Sequence, residues 1–115
     1  MLSKEIMNAL IAFRKERDWG QFHTPINISL SICIEAAELL EVFQWAKGED
    51  LQEIVISRRE EIEFEVADIV ILLSYFCHDL GIDIEEVVKR KMELNGEKYP
   101  VEKSKGVATK YDRFE

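Results

Sequence analysis

Asp68 lies inside the run Val66-Ala67-Asp68-Ile69-Val70-Ile71-Leu72-Leu73, which continues apolar to Phe76-Cys77. A helix that is apolar nearly all round is a central one. A carboxylate within it must be paired, hydrogen-bonded or bound to a cation, because an unpaired buried charge is costly. Whatever covers this helix therefore has to bring polar partners to Asp68. A chain of 115 residues builds one domain with one core. So small a bundle covers such a helix poorly by itself, and the sequence predicts a homo-oligomer.

Two prolines, Pro25 and Pro100, and five glycines punctuate the chain into helix-sized pieces. Ile6, Ala9, Leu10 and Phe13 recur at helical spacing, which predicts a first helix from about Ser3 to Arg17. Asp18 to Pro25 reads as a loop. A second helix is expected from near Ile26 to near Ala46, stopped by Lys47-Gly48, with a short helical turn over Leu51 to Ile56. Ser57 and Glu60 have capping-box spacing and mark a third helix, which Gly81 stops after Leu80. Asp83 and Glu86 repeat that spacing for a fourth helix, through about Lys98. No segment alternates long enough to be a strand. The reading is all-α, four main helices within a single domain over 1–115, with 101–115 as a polar, extended or disordered tail.

The net charge of −8 repels polymeric nucleic acid and anionic membranes, but not a small anion bridged by metal cations. No run approaches the ~20 apolar residues of a membrane span. Met1 to Arg17 is broken by charges and lacks the apolar core of a signal peptide. Cys33 and Cys77 each sit mid-helix in apolar surroundings and read as buried free thiols. Together these point to the cytoplasm.

The acids carry the chemistry. From Asn27 to Trp45 the only charges are Glu35, Glu38 and Glu41, and no basic residue lies there or between Glu60 and Phe76. Glu35 and Glu38 are three apart and share a helical face, as do Glu65 and Asp68, with Glu61 one turn earlier. If the second and third helices pack side by side, these carboxylates converge. Hard oxygen donors without His or Cys suit Mg²⁺, with Mn²⁺ as a substitute. A di-iron bundle needs Glu-x-x-His pairs, and neither His23 nor His78 follows a Glu by three. Trp45, seven residues beyond Glu38, is placed by the same wheel two turns along that face. Lys91, Asn95 and Lys98 form one stripe of the fourth helix, suited to phosphate or to the helix dipole.

Three blocks carry a resemblance. They are Glu16-Arg17-Asp18-Trp19-Gly20-Gln21-Phe22-His23 with Pro25 and Asn27; Glu35-x-x-Glu38-Leu39-x-Glu41 to Phe43-Gln44-Trp45, with Glu65-x-x-Asp68; and Lys91-x-x-x-Asn95 with Lys98-Tyr99-Pro100. With these the chain resembles the MazG-like all-α nucleoside triphosphate pyrophosphohydrolases, and among them the dCTP pyrophosphatase type. The resemblance implies a four-helix core, homodimers or homotetramers, Mg²⁺, and cleavage between the α- and β-phosphates to a monophosphate and pyrophosphate. It implies Glu35, Glu38, Glu65 and Asp68 as metal ligands; among them Glu38 and Glu35 are the catalytic candidates, and Glu38 is the candidate to orient the attacking water. Trp19, His23, Asn27 and Trp45 would hold base and sugar, and Lys91, Asn95 and Lys98 the phosphates. Leu72 and Leu10 stand where vertebrate-type members carry Tyr and His, which leaves the preferred base open. The substrate expected is dCTP or a modified pyrimidine triphosphate. The alternatives are a dUTP or phosphoribosyl-ATP pyrophosphatase of the same superfamily, and a non-catalytic helical nucleotide-binding module.

Overall fold

The computed structural model describes residues 1–114, and all the regular structure among them is helical. The chain divides into two units, Met1–Gly81 and Ile82–Glu115.

In the first unit, α1 is Lys4–Glu16, capped by the Ser3 hydroxyl, which accepts from the Ile6 N–H at 3.2 Å. Its end is a two-bond lock: the Asp18 N–H donates to the Lys15 carbonyl (3.0 Å) and the Trp19 N–H to the Arg14 carbonyl (3.1 Å). That closure requires a left-handed residue after the cap, and Asp18 takes it with φ 52°. Aspartate tolerates this backbone better than most residues, and the Gln21 amide donates to both its carbonyl and its carboxylate at 3.1 Å. The lock fixes where Trp19 leaves the helix. A 3₁₀ turn, Gly20–Phe22, follows.

Helix α2, Pro25–Glu41, starts with Pro25 at its first position and the Thr24 hydroxyl accepting from the Asn27 N–H at 3.1 Å. It ends at Glu41, five residues before the expected end near Ala46. Beyond it, Phe43 bonds to Leu40 (2.9 Å), Gln44 to Glu41 (3.2 Å) and Ala46 to Phe43 (3.0 Å), each three residues back. Turns of three residues rotate side chains differently from turns of 3.6. Trp45 therefore leaves the helical face assigned to it from Glu38. Val42, buried beside this bend, gives its carbonyl to the Arg58 guanidinium at 3.0 Å.

The Ser57–Glu60 capping box does not form. Ser57 ends helix α3, Leu51–Ser57, and Arg58 is the joint to α4, Arg59–Leu80, with no side chain capping it. Arg58 pairs instead with Glu61. Helix α4 stops at Gly81, whose φ of 65° suits glycine. Helices α1, α2 and α3 all pack on α4, with α2 most extensively. Ile28, Val42, Ser74 and Tyr75 are buried. Cys33, expected inside, is exposed. So are Ile26 (73%), Leu30 (57%), Ile34 (58%) and Leu40 (68%), which form an apolar stripe along the outer side of α2.

In the second unit, helix α5 spans Ile84–Lys98, with the Asp83 carboxylate accepting from the Glu86 N–H at 3.3 Å. The segment beyond Pro100, expected as an extended or disordered tail, carries helix α6, Val101–Ser104, and a 3₁₀ turn, Tyr111–Arg113. The rings of Tyr111 and Phe114 meet Tyr99 edge-on, both at 5.9 Å between centroids. Aromatic pairs in this geometry are worth about 1 kcal/mol beyond their buried area. They hold the segment against the end of α5. No described helix is long and apolar enough to cross a membrane.

Candidate metal and nucleotide site

Side-by-side packing of α2 on α4 brings three of the five expected acids together. One carboxylate oxygen each from Glu35, Glu38 and Glu65 lies within 4.8 Å of the others. Oε2 of Glu35 and Oε2 of Glu65 are buried without a hydrogen-bond partner. Two ionised carboxylates have no donor to offer each other. A proton on Glu35 removes that conflict, because its hydroxyl then donates to Glu65. That bond, followed by loss of hydration and the Glu38 and Asp68 charges, pushes Glu35 up to about 7. Buried orphan oxygens on converging hard donors fit a divalent cation, which would satisfy the lone pairs and neutralise the charge.

Asp68 stands differently from the expectation of burial. It is exposed and lies outside the three-carboxylate group, yet it lines the adjoining cavity and adds to the field on Glu35. Of its apolar neighbours, Ile71 and Leu72 line that cavity with it, and the buried orphan oxygens belong to Glu35 and Glu65. Glu61 is drawn off by Arg58.

The cavity is about 380 Å³, a size suited to part of a small ligand. Leu10 and Phe13 of α1, Trp19 and His23 of the following loop, Ser31 and Glu35 of α2, and Asp68, Ile71, Leu72 and Tyr75 of α4 line it. Carboxylates thus stand at one part of an aromatic and aliphatic recess. The Trp19 ring meets Phe13 edge-on at 5.8 Å.

Two other candidates of the first unit, Asn27 and Trp45, do not line the cavity. Asn27 spends its side-chain amide on the Phe22 carbonyl (2.9 Å), holding the loop rather than lining the cavity. Trp45 is 86% exposed and outside the lining. In the second unit, Lys91 borders a separate recess of α5 with Val87, Arg90, Glu93, Leu94 and Glu97. Asn95 accepts the Tyr99 N–H on its backbone carbonyl (2.8 Å), and Lys98 lies over the Tyr111 ring at 4.9 Å.

Three residues, Arg14, Tyr75 and Asp79, escaped the sequence reading. Arg14 grips Asp79 through two hydrogen bonds of 2.8 and 2.7 Å. The Arg14 guanidinium also reaches His23 Nδ1 at 3.4 Å and lies 4.6 Å from the Tyr75 ring centre. The Tyr75 hydroxyl donates to the Leu10 carbonyl at 2.6 Å. The hydrogen bond from Arg14 holds Asp79 below the usual carboxylate range. Burial, then the Arg14 charge, lowers His23. Burial raises Tyr75. The only signal for Tyr75 was a hydroxyl in an apolar run that needed a partner. Nothing linked Arg14 to Asp79 across the chain.

The MazG-like family model matches residues 30–114. The chain is 40% identical over 101 residues to dCTP pyrophosphatase 1 of Bos taurus, covering 86% of this chain and 60% of the relative. It is 34% identical over 101 residues to dCTP pyrophosphatase 1 of Homo sapiens, covering 86% of this chain and 59% of that one. The chain thus spans about 60% of the length of these relatives. A crystal structure of a pyrophosphatase from Archaeoglobus fulgidus is similar with a TM-score of 0.81 and 45% identity, covering 84% of this chain and 91% of that one.

Proposed function

The chain belongs to the MazG-like family, and from that premise we propose that it is a Mg²⁺-dependent nucleoside triphosphate pyrophosphohydrolase. It cleaves between the α- and β-phosphates, yielding a monophosphate and pyrophosphate, with dCTP or a modified pyrimidine triphosphate as substrate. The observation that carries this reading is the group of three carboxylates, two with buried orphan oxygens, beside an aromatic-lined cavity. The names of the relatives supply the substrate class.

Glu35, Glu38, Glu65 and Asp68 would hold the cation, which when bound neutralises phosphate charge and polarises the reacting phosphorus. Glu38 is the exposed member of the three-carboxylate group. It is the carboxylate placed to orient a water for attack. Trp19 and His23 contribute the walls that receive base and sugar, against the aliphatic floor of Leu10, Ile71 and Leu72. Asn27 acts by holding the loop that carries His23. Trp45, Lys91, Asn95 and Lys98 enter through the family resemblance, Trp45 as a base platform and the other three as phosphate ligands. The apolar stripe of α2 supports self-association as a homo-oligomer, since so much exposed apolar surface in one strip marks an interaction site.

Incubation with Mg²⁺ and a panel of deoxy- and ribonucleoside triphosphates tests this. Monophosphate and pyrophosphate from a pyrimidine triphosphate are expected, and Glu35→Gln or Asp68→Asn should lower turnover at least a hundredfold with the fold intact. Release of neither product from any member of the panel would refute it. Tight Mg²⁺–nucleotide binding without turnover would identify a binding module instead.

A further inference from the structure

Arg14 and Asp79 belong to neither the carboxylate group nor the lining of the cavity, yet they form a close polar contact in the first unit. Their side chains are 13% and 28% exposed and joined at 2.7 and 2.8 Å in a two-pronged pair. One guanidinium nitrogen of that pair also faces His23 Nδ1 at 3.4 Å. A guanidinium has donors only and does not lose its proton in proteins. The contact is a hydrogen bond only if Nδ1 is the acceptor. An imidazole accepting at Nδ1 while neutral carries its proton on Nε2. No described protein group takes up Nε2, and the ring lines the cavity.

We propose that Arg14, anchored by Asp79, is a positioning residue that fixes His23 in its Nε2–H tautomer and so sets a neutral hydrogen-bond donor in the nucleotide cavity. The partner it selects is an acceptor on the bound nucleoside, a carbonyl oxygen or unprotonated ring nitrogen of the base. This rests on the functional reading given above. Two further contacts hold the ring in place. It packs at a tilt against Tyr75, with centroids 5.3 Å apart and planes inclined by 54°. Tyr75 is itself tied to α1 through the Leu10 carbonyl. Burial and the Arg14 charge both favour the neutral ring, opposed by the Asp79 charge, which Arg14 largely answers. A protonated His23 would place two cations against each other and lose the acceptor that Arg14 uses.

The tautomer can be read without substrate. In the full chain labelled with ¹⁵N-histidine, a long-range ¹H–¹⁵N spectrum at neutral pH distinguishes protonated from bare ring nitrogens. His78→Gln identifies which of the two histidines is His23. The expected spectrum shows His23 neutral, protonated on Nε2 alone. Arg14→Ala should give a mixture of tautomers, and Arg14→Lys, which keeps a donor, should restore much of the single form. Asp79→Asn gives a second route if Arg14→Ala does not fold, since it loosens Arg14 without deleting it. Protonation on Nδ1 in the unmodified chain, or a tautomer unmoved in both Arg14→Ala and Asp79→Asn, overturns the proposal. In turnover of dCTP, Arg14→Ala should raise KM roughly tenfold, the fold change of one ordinary hydrogen bond, with a much smaller change in kcat. A loss confined to kcat would also overturn it. A chain that hydrolyses no triphosphate at all would sink the functional reading while leaving the resting-state tautomer as a separate result.

Discussion

Glu35→Gln should stabilise the metal-free protein at alkaline pH while destroying its response to metal. Glu35 titrates near 7 in the folded chain against an ordinary 4.5. For an acid raised in this way, folding stability is fullest below about 4.5 and is lost as pH rises through about 7. The displacement corresponds to at most about 3 kcal/mol. Glu38 and Asp68, two of the charges responsible, are exposed and screened by solvent, which brings a realistic figure down to about 1 kcal/mol. An amide in place of the carboxyl never ionises, and it donates to Glu65 as the protonated acid does. In chelator at about pH 8, Glu35→Gln should therefore melt roughly 4 °C above the unmodified chain. At about pH 4 the two should coincide. Adding Mg²⁺ should raise the melting temperature of the unmodified chain through preferential binding to the folded state, and leave the variant unmoved. A variant that melts lower at pH 8 in chelator would refute the crowded-carboxylate argument. So would an equal Mg²⁺ response in both proteins.

Three further outcomes follow from the same geometry. Below about pH 7 a cation must displace the proton on Glu35, so the Mg²⁺ concentration for half-maximal binding should rise up to tenfold per pH unit; a flat dependence there would contradict the shared-proton picture. Asp18→Val puts a β-branched residue at φ 52° and should cost about 2 kcal/mol in denaturant unfolding, whereas a neutral result would mean that the lock ending α1 is not formed. Leu30→Glu places a charge on the exposed stripe of α2; sedimentation should show a smaller assembly with unchanged helical content, and an unchanged assembly would move the interface elsewhere.

Local signals were readable wherever one residue decides the geometry. Ser3 and Asp83 cap their helices, and Gly81 stops α4, as their types and positions predict. The convergence of Glu35, Glu38 and Glu65 was also readable, because helical spacing fixes faces and an apolar helix fixes what lies against it. Where a helix stops without glycine or proline, the sequence was silent. Nothing at Val42 announces the end of α2, which depends on a bend whose carbonyl Arg58 satisfies from another helix. That one change unseated Trp45 from its expected face. Ser57 illustrates the opposite error, a good cap signature overruled because α3 keeps the residue as its own last turn. The Arg14–Asp79 grip was illegible for a different reason: it joins residues 65 positions apart, and each alone is an ordinary surface charge.

The identity of the products from dCTP tests the central claim most directly. With Mg²⁺, the account predicts dCMP and pyrophosphate in equal amounts, abolished by chelator and by Asp68→Asn. Formation of dCDP and orthophosphate, or product formation that persists in chelator, would contradict it.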